Sequence, residues 1–300
     1  MENTDARGWT GLGVALVTPF HNDYSIDQEA LGQLVEHCIK GGIDYLVALG
    51  TTGEAVTLGA AERQLVMDVV REANADRLPL MLGYGGNNTA QLLNELPEFD
   101  LTGFSALLSA NPAYNKPTQE GLLAHYGQLI EASPLPVLLY NVPGRTASNM
   151  EASTTAALAN TYPSLIGIKE ASGNPLQQIK IARDARESFL LISGDDISAP
   201  ATIFAGGQGL ISVLGQALPK EIGAMVRAAM KGEVAEANRV HRGVLNLIEL
   251  LFEEGNPAGV KALLEHLGIG RAQVRLPLLP ASAGLKTRII EEFEAIQGLV

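Results

Sequence analysis

Lys169 closes the run Leu165-Ile166-Gly167-Ile168-Lys169, where four apolar or small residues lead into a single amine. Burial among apolar walls disfavours the ammonium form, which lowers a lysine pKa from about 10.4 and exposes a nucleophile. The ordinary alternative is a strand-end lysine whose head reaches water. Tyr140 ends a similar run, Val137-Leu138-Leu139-Tyr140. A phenol beside an imine-forming lysine can ferry protons as the carbinolamine forms and collapses, whereas an isolated tyrosine is more commonly a core residue. Gly50-Thr51-Thr52-Gly53-Glu54 puts two hydroxyls and several N–H groups on one tight loop. Such a loop suits a small carboxylate, or is an ordinary turn between a strand and a helix. Arg145, in Val142-Pro143-Gly144-Arg145-Thr146, can grip a further carboxylate with two parallel hydrogen bonds; alone, it is a solvated loop arginine. Asp195-Asp196 has no partners at metal-ligand spacing, so a solvated turn or a supporting role is expected.

Other chemistries find no support. There is no phosphate-binding loop and no nucleophile elbow. Five scattered histidines and the single Cys38 offer no metal cluster and no disulfide. Cys38 lies in an amphipathic helical pattern and reads as a small core residue. A net charge of −12, without clustered Lys and Arg, argues against nucleic acid. No apolar run approaches the ~20 residues of a membrane span. Met1-Glu2-Asn3-Thr4-Asp5 lacks the charged-then-apolar order of a signal peptide. A soluble cytoplasmic protein is expected.

The elements that must position these residues alternate regularly. Short apolar runs fall at residues 13–17, 45–49, 80–83, 104–108, 137–140, 165–168, 189–193 and 209–212, as strands buried on both faces of a parallel sheet would. Helical patterns lie between them, such as residues 61–72, with apolar positions at helical spacing. Eight such units predict an α/β fold, a (β/α)8 barrel over residues 1–230. A doubly wound sheet uses the same alternation, but no GxGxxG turn follows the first strand. Beyond residue 230 three helices are expected, over 234–252, 257–267 and 283–299, as a C-terminal helical appendage spanning 231–300. In a barrel of this kind the site lies at the C-terminal strand ends, which is where all the residues above fall.

Together, Gly50-Thr51-Thr52-Gly53-Glu54, Tyr114-Asn115-Lys116-Pro117-Thr118-Gln119-Glu120-Gly121, Tyr140-Asn141-Val142-Pro143-Gly144-Arg145-Thr146 and Gly167-Ile168-Lys169-Glu170-Ala171-Ser172-Gly173-Asn174 resemble the dihydrodipicolinate synthase / N-acetylneuraminate lyase superfamily. Within it the chain looks most like the synthase branch, and the likeness runs from Gly13 to about Pro280. The resemblance implies that Lys169 forms an imine with pyruvate and that Tyr140 gives and takes protons. It implies that Thr51 relays between Tyr140 and Tyr114, the latter reaching in from a neighbouring subunit. Thr52 would hold the pyruvate carboxylate, with main-chain groups at Gly194 and Ile211 completing the pocket. Arg145 would bind the carboxylate of aspartate semialdehyde. A homotetramer of two tight dimers, or a homodimer, is implied, with no metal or external cofactor.

Two alternatives stay open. A sibling aldolase acting on a sugar-acid aldehyde would share Lys169, Tyr140 and the Thr51-Thr52 loop. A non-catalytic keto-acid binder would need no proton relay. The chain also departs from the pattern of lysine-inhibited relatives. In that pattern histidines stand at the positions of Ala60 and Arg63, a glutamate at Gln91 and a tyrosine at Ala113; only Asn87 is kept. An effector ammonium wants a carboxylate, so feedback inhibition by lysine is expected to be weak or absent.

Overall fold

The computed structural model describes residues 6–300; Met1 to Asp5, read above as polar and lacking a signal, lie outside them. Among the described residues eight parallel strands close into a barrel in chain order. They are β1 (Gly11–Ala15), β2 (Tyr45–Ala48), β3 (Leu80–Gly83), β4 (Ala106–Ala110), β5 (Val137–Asn141), β6 (Leu165–Glu170), β7 (Leu190–Ser193) and β8 (Gly209–Ser212). Pairing of Gly11 with Gly209 and of Gly13 with Ile211 shuts the ring, which excludes the open sheet. β1 begins two residues earlier than expected and β4 two residues later. Because side chains alternate with a period of two, neither shift changes which residues face inward.

The helices are α1 (Gln28–Lys40), α2 (Ala60–Asn74), α3 (Thr89–Glu95), α4 (Gln119–Ala132), a single turn α5 (Pro143–Thr146), α6 (Ala152–Thr161), α7 (Pro175–Asp184), α8 (Ala199–Phe204) and α9 (Pro219–Met230). The expected C-terminal helices follow as α10 (Val234–Glu253), α11 (Ala258–His266) and α12 (Ala283–Ala295). Local chemistry sets their limits. At α1 the Asp27 carboxylate accepts the Ala30 N–H, and Gly41 and Gly42 end the helix. At α2 the Glu62 side chain turns back to accept the Gly59 N–H at 2.9 Å, while Val66, Met67 and Val70 bury one face.

Two apolar layers result. Ala15, Tyr45, Val47, Met81, Leu108, Leu138 and Ile192 fill the barrel. Leu46, Leu107, Leu139, Ile168 and Leu210 point outward into a second layer shared with the helices, including Val240, Val244, Leu247 and Leu251 of α10. Cys38 lies fully buried in that layer, as its helical pattern predicted. Gly13 is needed for interior packing, since a Cβ there would stand 2.1 Å from the Tyr45 ring.

The register between β5 and β6 matters most for function. Val137 pairs with Leu165 but Leu138 pairs with Gly167, leaving Ile166 as an extra residue in β6. Such a bulge reverses the inward–outward alternation beyond it. Ile166 and Leu138 both belong to the interior layer, Ile168 to the outer one, and Lys169 comes round to the interior beside its ladder partner Tyr140.

Candidate active site

Lys169 is only 5% exposed, and its Nζ lies 4.3 Å from the centre of the Tyr140 ring. Gly194 makes the space: a Cβ there would come within 2.8 Å of Lys169 Cγ and 2.9 Å of its Cε. Lys169 forms no ion pair among the described residues, and burial pulls its pKa down to about 8, with Asp196 opposing and Arg145 reinforcing the shift. An amine with that pKa has a useful uncharged fraction near neutral pH, as imine formation requires.

Tyr140 is also buried. Desolvation holds its phenol in the protonated form, while the nearby Arg145 and a hydrogen bond with Thr51 act in the opposite sense. Thr51 stands on the exposed rim of a short 3-10 turn, Thr51–Gly53, that directly follows β2. Thr52, next to it, is buried, and its Oγ1 accepts the Asn256 amide at 2.9 Å. Because Asn256 donates to that oxygen, the Thr52 hydrogen is left free to donate to an acceptor such as a carboxylate.

Arg145 lies on α5, exposed, with no side-chain partner among the described residues. Its charge is nevertheless felt by both Tyr140 and Lys169. Ile211 is fully buried on β8, and the Gly194 N–H is bonded to the Glu170 carbonyl at 2.8 Å. The loop after β4 holds Tyr114 in the left-handed region at φ 71° and leaves the residue 89% exposed.

Sequence reasoning missed the frame behind the site. Asn141 and Glu170, one residue beyond Tyr140 and Lys169, face outward and meet. Glu170 accepts from Asn141 Nδ2 at 3.0 Å, Gln177 Nε2 at 3.1 Å and the Ser172 N–H at 2.7 Å. Asn141 in turn accepts from Asn111 and from the Met150 N–H, tying the Arg145 loop to the strand ends. Asp196 is no solvated turn residue. It is buried, bonded to the Ser212 hydroxyl and to the Val213 N–H at 2.9 Å, and burial raises its pKa. Asp195 holds Ser198, the residue just before α8, by accepting its N–H and hydroxyl. Polar residues following apolar strands were the available signal, but their partners come from other units.

A cavity of about 410 Å³ opens from Thr51 and Tyr140 toward Ala55, Arg63, Asn87 and Gln91. Glu95, one helical turn past Gln91, also lines it and accepts the Gln91 amide at 2.6 Å. Glu95 thus brings a carboxylate to the wall on which Gln91 stands. No group of three or more His, Cys, Asp or Glu able to hold a metal occurs among the described residues.

A desolvated amine facing a phenol at the C-terminal mouth of a closed (β/α)8 barrel defines a lyase of the imine-forming kind. This chain belongs to the dihydrodipicolinate synthetase family, whose model matches residues 9–296. It is 49% identical over 283 residues to a 4-hydroxy-tetrahydrodipicolinate synthase of Flavobacterium psychrophilum, covering 94% of this chain and 97% of that protein. Among solved structures it resembles dihydrodipicolinate synthase from Thermotoga maritima, with a TM-score of 0.92, 35% identity, and 97% and 99% of the two chains covered. A structure described as the first monomeric dihydrodipicolinate synthase variant superposes with a TM-score of 0.94 at 34% identity, covering 99% of each chain.

Proposed function

We propose that this chain condenses pyruvate with L-aspartate 4-semialdehyde to give 4-hydroxy-tetrahydrodipicolinate, a step toward diaminopimelate and lysine. The observation that carries this reading is the buried Lys169 amine opposite Tyr140, with Arg145 unpaired at the rim. The uncharged amine attacks the keto carbon of pyruvate. Tyr140 and Thr51 deliver and remove the protons needed to expel water and leave an imine. Loss of a methyl proton gives the enamine, whose carbon attacks the aldehyde carbonyl of the second substrate. The amine of that substrate then adds to the imine carbon, closing the ring and displacing Lys169. Overall one water is released, and no external cofactor enters the balance.

Thr52, with the amides of its loop and main-chain groups at Gly194 and Ile211, would orient pyruvate. Arg145 would take the carboxylate of the semialdehyde. The exposed Tyr114 suits a place in a neighbouring copy's relay, as in a tight homodimer or a tetramer built from two of them. A cytoplasmic location fits such a pathway step; among the described residues no helix is long and apolar enough to cross a membrane.

The test is intact mass after borohydride reduction with pyruvate, followed by turnover of aspartate semialdehyde. An adduct with turnover is expected. An adduct without it would move the assignment to a sibling aldolase, and no adduct would overturn the imine. Arg145→Ala should raise the KM for the semialdehyde by about a hundredfold and leave that for pyruvate within about twofold, since it removes an anchor for one substrate only. Equal changes in both constants would contradict that role.

Lysine is expected to inhibit only at about millimolar concentration or above. Ala60 and Ala113 offer the effector no side-chain hydrogen bond, and Glu95 is already engaged by Gln91. Inhibition in the tens of micromolar, read in a steady-state titration, would refute this.

A further inference from the structure

A buried ion pair links the C-terminal helices to the site. Lys261, on α11, extends its ammonium to Glu54 Oε1 at 2.5 Å and to the Gln273 carbonyl at 2.7 Å; both side chains of the pair are 1% exposed. The other carboxylate oxygen of Glu54 accepts the Arg275 N–H at 2.9 Å. With the Asn256 bond to Thr52, the Thr51–Glu54 segment is held by partners 204 to 221 positions later in the chain.

A buried ion pair is an inefficient way to join helices. Desolvating both charges offsets most of their attraction, and an apolar pair of equal volume would serve stability as well. The backbone of Glu54 supplies another reason. It sits in the left-handed region at φ 52° and ψ 31°, a strained place for a residue with a Cβ. Glycine would accept that conformation freely but has no side chain to be gripped. The Glu54 N–H also closes the preceding turn onto the Thr51 carbonyl at 3.1 Å. Fixing both carboxylate oxygens therefore fixes the turn that presents the Thr51 and Thr52 hydroxyls.

We propose that Lys261 is a positioning residue: through Glu54 it holds the Thr51–Thr52 turn in the geometry that anchors the keto acid and completes the Tyr140 relay. This rests on the imine reading above. The Lys261 ammonium is occupied by Glu54 and Gln273 and takes no part in bond making.

Lys261→Met combined with Glu54→Gln removes both charges at once and leaves neither buried charge bare. In that variant the KM for pyruvate should rise about tenfold and kcat fall about tenfold, with the semialdehyde KM within about twofold. Arg145 stands on a different loop, so a brace serving stability alone would lower Tm without splitting the two constants. Glu54→Gln alone is the harsher variant, since it leaves the buried Lys261 ammonium without its carboxylate. An amide has one acceptor oxygen and cannot serve Lys261 and the Arg275 N–H on separate atoms, so at least the same split is expected in the folded protein. Either variant, folded and with wild-type pyruvate KM and kcat, overturns the proposal. The wild-type pyruvate adduct is the control: its absence overturns the imine reading, whereas its presence beside unchanged variant kinetics overturns only the role of Lys261.

Discussion

Lys169→Ala is expected to abolish the borohydride-trapped pyruvate adduct and to lower kcat by at least about four orders of magnitude. The reaction depends on a covalent electron sink, and no other buried amine among the described residues can take its place. Lys261, whose pKa burial also pulls down to about 8, is bonded to Glu54 and lies under the Phe20 ring instead of in the barrel mouth. The pH dependence follows from the Lys169 value of about 8. At pH 7 about one amine in ten is uncharged, against roughly one in a few thousand for an ordinary lysine. The rate of adduct formation should therefore climb with pH toward about 8 and level off above it. A plateau displaced to about pH 10 would show that the amine is not desolvated in solution.

The same group should leave a mark on stability. Its folded pKa is depressed, so between about pH 8 and 10.5 the unfolded chain binds a proton that the folded chain does not. Lys169 thus destabilises the fold fully below about pH 8, and the penalty disappears as pH rises through that window. Lys169→Met should be more stable than the parent at pH 7, by ~3 kcal/mol at most, with the advantage fading toward pH 10.5. Chemical denaturation at the two pH values measures it.

Tyr140→Phe should lower kcat about a thousandfold while leaving the pyruvate adduct detectable after long incubation. Phenylalanine keeps the ring that faces Lys169 Nζ at 4.3 Å and the interior packing beside Leu138. Only the hydroxyl that meets Thr51 is lost, so the deficit falls on proton transfer during carbinolamine formation and collapse. Rapid-quench trapping should show slowed adduct formation with an unchanged final mass. An adduct formed at the parental rate would place the phenol outside that step. Thr51→Val should weaken the same step less, because it removes a neighbour of the proton donor and not the donor itself.

Much of this was legible before any tertiary contact was known. The eight apolar runs are local signals, since a strand buried on both faces must be apolar throughout, and the boundary shifts at β1 and β4 left every facing residue in place. Lys169, Tyr140, Thr51 and Arg145 were recognisable because polar groups stand out at the ends of such runs, and the barrel brings them together at one mouth. Asp196, Asn141 and Glu170 could be seen as polar, but their satisfaction by Ser212, Gln177 and Ser172 could not.

What the chain determined by itself, then, is the alternation that makes a barrel and the identities of the reactive groups at its strand ends. The direction in which Lys169 points was decided by tertiary structure. Strict alternation from Leu165 would send its side chain outward among the helices, and only the bulge at Ile166 turns it to face Tyr140. Whether an extra residue is accommodated depends on pairing with β5, which is not encoded in β6 alone. The bracing of Glu54 by Lys261 is likewise tertiary. Two charges 207 positions apart have no periodic relation, and they meet because α11 packs where the Thr51–Thr52 turn leaves the barrel.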